Sequence, residues 1–99
     1  MKPNYLNILG LAYRAGKCVL GEEAIVHAIQ SNNAKLILIA CDIGPQTKKK
    51  LMDKSKTYNI PIINVDNRET LGHAIGKSQR VAIAILDKGF ARKIQSLLV

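Results

Sequence analysis

Apolar positions recur along this chain at two spacings, one helical and one continuous, and the alternation between them sets out its elements. Tyr5, Ile8, Leu9, Ala12 and Tyr13 repeat at helical spacing, with Asn4 placed to cap the element and Gly16 to stop it. Residues 17–20 form a short apolar stretch that predicts a strand. Gly21 then opens a second helix, in which Ala24, Ile25, Ala28 and Ile29 return at helical spacing. Glu22 and Glu23 fall in its first turn, where their charge complements the positive end of the helix dipole. Leu36-Ile37-Leu38-Ile39-Ala40 is a continuous apolar run between Lys35 and Asp42, the pattern of a strand covered on both faces.

Pro45 suits the first position of a third helix that reaches to about Tyr58, with Thr47, Leu51, Ser55 and Tyr58 on its inner side. Residues 60–65 predict another strand. Asp66 and Glu69 have the spacing of a capping box ahead of Leu71, Ala74 and Ile75, and Gly76 is placed to end that helix. Residues 81–86 form a last buried strand, followed by Asp87 and a helix presenting Phe90, Ile94, Leu97 and Leu98. Helices alternating with strands predict an α/β fold, one domain spanning residues 1–99 built as a three-layer α/β/α sandwich; its four-stranded sheet is expected to be mixed.

Charge changes the picture from fold to partner. Fifteen Lys and Arg against seven Asp and Glu give a formal net charge of +8, which raises encounter rates with polyanions and drives counterion release from phosphate backbones. Cys18 and Cys41 stand in apolar runs, where free thiols behave as small hydrophobes, and neither a disulfide framework nor a metal-ligand spacing is visible. With no charged-then-apolar leader and no apolar run approaching ~20 residues, a cytoplasmic protein that neither spans nor binds a membrane is expected.

Enzymatic readings find little support. Gly10 and Gly16-Lys17 have five residues between the glycines and Cys18 after the lysine, where a phosphate-binding P-loop needs four and then Ser or Thr. His27 and His73 are solitary, and the acidic residues cluster at helix starts, where capping explains them. The expectation is a non-catalytic protein with no cofactor and no metal. Lys48-Lys49-Lys50 with Lys54 and Lys56 reads as a solvated helix face. A more site-like set lies where elements meet: Gly16-Lys17, Gly21, Ile43-Gly44-Pro45 and Gly76-Lys77-Ser78-Gln79-Arg80. Several of these turns can share one end of the sheet, where glycines admit a backbone closely, helix N-terminal amides accept phosphate and cations neutralise it.

Gly16-Lys17-Cys18-Val19-Leu20-Gly21, the run from Ala34 to Ala40 leading to Asp42 and Pro45, and Leu71-Gly72-His73-Ala74-Ile75-Gly76 ahead of Arg80-Val81-Ala82 together resemble the ribosomal protein L7Ae/L30e superfamily of kink-turn RNA-binding proteins. The starting helix around Tyr5-Leu6-Asn7-Ile8-Leu9-Gly10 and the ending Asp87-Lys88-Gly89-Phe90-Ala91 resemble its bacterial YlxQ-type branch. The resemblance implies the α/β/α sandwich, cytoplasmic residence, no cofactor, and RNA as partner, ribosomal or otherwise structured, with the ribosome or ribosome-assembly proteins nearby. It also implies where RNA is met: at Gly21, Glu22, Glu23, Ala24 and His27, and at Lys77, Ser78, Gln79, Arg80 and Val81 of the loop before the last strand. Gly16, Lys17 and Ile43 join these from the turns.

The chain departs from the superfamily pattern at the recognition helix. Kink-turn binders carry Asn or Lys, then Glu or Gln, where this chain has Glu23 and Ala24, and often Lys in place of His27. Glu23 offers acceptors only and Ala24 no polar group, which argues against standard kink-turn recognition. Lys77 and Arg80 stand where many relatives are apolar, favouring contact with the RNA backbone by charge. The competing reading is a protein-interaction adaptor on the same fold, its RNA affinity reduced by Glu22, Glu23 and Ala24.

Overall fold

The most apolar segments, β2 (Leu36–Ile39) and β4 (Ala82–Ile85), are buried at every position and form the middle of the sheet. The other elements, among residues 4–98 that the computed structural model of the protein describes, are α1 (Tyr5–Arg14), β1 (Cys18–Leu20), α2 (Glu22–Gln30), α3 (Pro45–Thr57), β3 (Ile62–Asn64), α4 (Arg68–Ala74) and α5 (Lys88–Leu98). The strand order is β1-β4-β2-β3. β4 runs antiparallel to both neighbours, pairing Leu20 with Ile83 and Ile39 with Ala82, and β3 runs parallel to β2. The sheet is therefore mixed, as expected, with β4 as its one antiparallel strand.

Alternate side chains of the central strands feed two cores, because successive residues of a strand face opposite sides. Leu36, Leu38, Ile83 and Ile85 pack with Leu9, Leu71 and Ile94 beneath α1, α4 and α5. Ile37, Ile39, Ala82 and Ala84 pack with Ile25, Ile29 and Leu51 beneath α2 and α3. Burying each Leu or Ile side chain contributes roughly 1.5–3 kcal/mol, so the two-sided apolar runs hold the three layers together.

Strand direction decides what meets what. β1, β2 and β3 all point one way and β4 the other, so the segments leaving the first three strands gather at one end with the segment entering β4. Backbone hydrogen bonds tie this end: Ala40 N–H to the Val81 carbonyl at 2.8 Å, Cys41 N–H to the Asp66 carbonyl at 3.0 Å, and Arg80 N–H to the Arg68 carbonyl at 3.0 Å. At the other end the Lys17 carbonyl accepts from Leu86 N–H at 2.8 Å, and Lys35 N–H donates to the Ile85 carbonyl at 2.7 Å.

Two local expectations are corrected. α4 is capped by Asn67, whose side chain accepts from Thr70 N–H at 2.8 Å, and not by the expected box of Asp66 and Glu69. Asp66 is committed elsewhere, accepting from the Tyr5 hydroxyl while its carbonyl holds Cys41. Cys41, expected among apolar neighbours, is exposed because the buried run ends at Ala40 and the chain turns outward. Asn4 does cap α1, accepting from Leu6 N–H at 2.9 Å.

Candidate functional site

The end of the sheet that gathers the starts of α2 and β4 is built on a glycine. Gly21 has φ +89° and ψ 139°, a conformation L side chains rarely adopt, and it turns the chain from β1 into α2 within one residue. Having no side chain, Gly21 makes no capping bond, so the first amides of α2 have no side-chain partner from it. α3 begins the same way. Gly44, at φ −64° and ψ 148°, supplies no side-chain cap ahead of Pro45, and no acidic residue stands in the first turn. Two helix N-termini with positive dipole ends thus open at one edge of the molecule.

Between them lies a cleft of about 180 Å³ lined by Gly21, Glu22, Thr47, Gln79, Arg80, Val81 and Ala82. Arg80 donates from its guanidinium to the Gln79 carbonyl at 2.8 Å and to the Ser78 hydroxyl at 3.3 Å, which folds the loop around the cation. Glu22 pairs with Lys50 of α3 at 3.4 Å. Both side chains of that pair are well exposed, so it contributes little to stability but offsets the carboxylate's charge at the cleft. The Asp42 carboxylate accepts from Arg68 N–H at 2.9 Å and pairs with the Arg68 Nε at 3.3 Å, while the Arg68 guanidinium also donates to the Asp42 carbonyl. One acidic charge of this end is thereby occupied at the start of α4. The cleft presents amide donors, one guanidinium, one hydroxyl and one partly neutralised carboxylate, a set suited to gripping an anionic backbone.

Of the residues named from sequence, Gly21, Glu22, Gln79, Arg80 and Val81 come together here, with Glu23 and Ala24 exposed in the next positions of α2. His27 is exposed five residues past Glu22 in α2, about 7.5 Å by helical rise. Ile43 lies beneath the turn into α3 and packs in the core. Ser78 is seated on α4: a Cβ added at Gly72 would fall 1.7 Å from the Ser78 carbonyl oxygen. Lys77 sits outside the cleft, its ammonium 5.9 Å from the centre of the Tyr13 ring.

Gly16 and Lys17 do not join this group. They precede β1 and Gly21 follows it, so they lie at the opposite end of the sheet from the cleft. Thr47, read from sequence only as an inward position of α3, lines the cleft. The signal for it was Gly44-Pro45, a helix start with no side-chain cap. Away from the cleft, burial pushes the Cys18 thiol up to about 12, which keeps it protonated and a poor nucleophile. Burial and the hydrogen bond to Asp66 raise the Tyr5 phenol above its ordinary range.

The chain as a whole has relatives among known proteins. A model of the ribosomal protein L7Ae/L30e/S12e/Gadd45 family matches residues 4–95. The chain is 45% identical over 91 residues to RNA-binding protein YlxQ of Bacillus subtilis, covering 92% of this chain and 91% of that protein. It is 39% identical over 93 residues to RNA-binding protein YlxQ of Enterococcus faecium, covering 94% and 89%. A solved structure of a protein of unknown function from Bacillus halodurans C superposes with a TM-score of 0.94 at 45% identity, over 98% of both chains. The Giardia lamblia 15.5kD RNA binding protein superposes with a TM-score of 0.82 over 94% of this chain and 80% of that one, and at 17% identity this likeness speaks for the fold alone.

Proposed function

The chain belongs to the ribosomal protein L7Ae/L30e/S12e/Gadd45 family, and from that membership we propose that it is a cytoplasmic, non-catalytic RNA-binding protein, ribosomal or ribosome-associated. The RNA lies at the end of the sheet where the start of α2 faces the loop before β4. One observation carries the location: Gly21 and Glu22, 58 to 60 residues from Arg80 and Val81 in sequence, line one cleft with them. Phosphates there meet unpartnered helix amides and the Arg80 guanidinium. The net charge of +8 supplies the long-range attraction.

Glu23 and Ala24, both exposed beside the cleft, govern which RNA fits. A carboxylate repels phosphate and cannot donate to a base acceptor, so a standard kink-turn binds poorly and contact with the RNA backbone dominates. The same two residues favour the second reading, a protein ligand in place of RNA.

A fluorescence titration against a hairpin RNA at two salt concentrations tests the function. Engagement of ~4 phosphates gives a slope of log affinity against log salt of about −3 to −4, and Arg80→Ala weakens binding more than Lys88→Ala at the far end of the sheet. Equal losses mean diffuse attraction to a basic surface, and no binding at low salt leaves the protein-ligand reading. In a second arm, Glu23→Asn with Ala24→Glu strengthens binding to a kink-turn about tenfold, since each restored base-edge contact is worth roughly 1–3 kcal/mol by analogy with DNA readout. Tight kink-turn binding by the wild type overturns the account of Glu23.

A further inference from the structure

A concavity larger than the cleft lies elsewhere among the described residues. A groove of about 560 Å³ runs between α1 and α4, lined by Asn4, Asn7 and Leu11 on one side and Thr70 and His73 on the other. It continues through Gly10, Arg14, His73 and Ala74 into a further hollow of about 350 Å³ bounded by Tyr13, Ile75 and Gly76. The helices approach so closely that a Cβ on Gly10 would stand 2.8 Å from the Ala74 carbonyl oxygen, so the floor is backbone. None of the lining residues carries a carboxylate, and Glu69, next to Thr70, is not among them.

The groove is joined to the cleft by the loop before β4. Lys77 N–H bonds the Gly72 carbonyl at 2.9 Å and Arg80 N–H the Arg68 carbonyl at 3.0 Å, so the loop runs back along α4 from the hollow to the cleft. Four residues of helix separate those anchors, about 6 Å of rise. Arg80 and Lys77 thus stand at the two ends of one short path, and Lys77 rests over the Tyr13 ring at the outer limit of a cation–π contact.

We propose that the groove between α1 and α4 is a second RNA contact, which takes an unpaired strand continuing from structured RNA held at the cleft. Tyr13 is its stacking platform. The inference rests on the RNA-binding reading above. A base seated on the Tyr13 ring displaces the Lys77 ammonium from it, and the freed ammonium, with Arg14, neutralises the flanking phosphates. Asn4, Asn7 and Thr70 offer hydrogen bonds farther along. Leu11, 47% exposed, and the half-buried Leu6 are the large apolar side chains that line the groove. Two large apolar side chains fall well short of the apolar area that a stable protein interface buries, and a lining that carries the Arg14 guanidinium and no carboxylate matches a polyanion.

Stacking on an aromatic side chain tolerates any base, so uridine serves as probe. Affinity is measured for one hairpin RNA, blunt or carrying six unpaired uridines on either end. The wild type binds a tailed form about tenfold more tightly than the blunt one. Tyr13→Ala removes that gain and leaves blunt-hairpin binding unchanged, whereas Tyr13→Phe keeps the gain because the ring remains. Arg14→Ala, a change on an exposed side chain that leaves folding intact, lowers the salt slope of the tailed form by about 0.7. Amide resonances of Tyr13, Ala74 and Gly76 shift with the tail, while those of Glu22 and Val81 shift with either hairpin. Blunt-hairpin binding with no gain from a tail, or a gain that survives Tyr13→Ala, overturns the groove alone. Failure of every hairpin to bind overturns the reading on which it rests.

Discussion

The two faces of the sheet start their helices differently. On the face of α1, α4 and α5, every helix start is closed by a side chain: Asn4 to Leu6 N–H, Asn67 to Thr70 N–H, and Asp87 to Phe90 N–H, at 2.8–2.9 Å. On the face of α2 and α3, both helices start at glycines, Gly21 and Gly44, which leave the first amides without a side-chain partner. A side-chain cap is commonly worth ~1 kcal/mol over alanine. The open face forgoes this at both helices, and both open starts fall at the end of the sheet that holds Arg80. The contrast teaches that side-chain caps were built into one layer and open helix starts left in the other. The loop before β4 joins them, seated on α4 of the closed face and delivering Arg80 to the open one.

The largest effect is expected where that loop is seated. Gly72→Ala places a methyl against the Ser78 carbonyl, a backbone atom with no easy retreat, and lowers stability by about 3 kcal/mol as the loop is displaced. RNA affinity falls with it, because Arg80 moves. Thermal denaturation and hairpin titration read both changes; a variant of wild-type stability means that the loop yields freely.

A smaller effect follows from opening a closed start. Asp87→Ala removes the bond to Phe90 N–H at the end of the sheet opposite the cleft, costing about 1 kcal/mol in urea unfolding. Hairpin affinity stays within about twofold, and a larger loss would show that the closed face takes part in binding.

The smallest change in stability carries the sharpest contrast. Gly44 sits in extended backbone open to any residue, with nothing near an added Cβ. Gly44→Asn therefore caps α3 and stabilises the fold by about 0.5 kcal/mol, while its side chain occupies amides the RNA would use. Stability up and affinity down is the expected pair, and rising affinity would remove the α3 start from the interface.

Much of the fold was legible along the chain. The run from Leu36 to Ala40, the helical repeats around Leu9 and Ile25, and the stop at Gly16 act over a few residues through side-chain alternation and backbone freedom, and such local physics survives in a linear string. The resemblance carried by Gly21 and by Arg80-Val81 marked the two segments of the cleft. Local reading failed where partners are distant. Asp66 has capping spacing, yet its carboxylate is taken by Tyr5 from the far end of the chain, which leaves the cap to Asn67.

Sequence by itself therefore determined the elements, the two-sided core and the basic charge, each set by neighbours within a helix turn or a strand. The tertiary structure alone decided which turns share an end. Gly16 and Gly21 are five residues apart, but a strand runs between them and sends them to opposite ends of the sheet. Thr47, Glu22 and Arg80 are scattered through the chain, and the antiparallel pairing of β4 with β1 and β2 brings them to one cleft. Strand direction is a property of pairing, and no residue carries it alone.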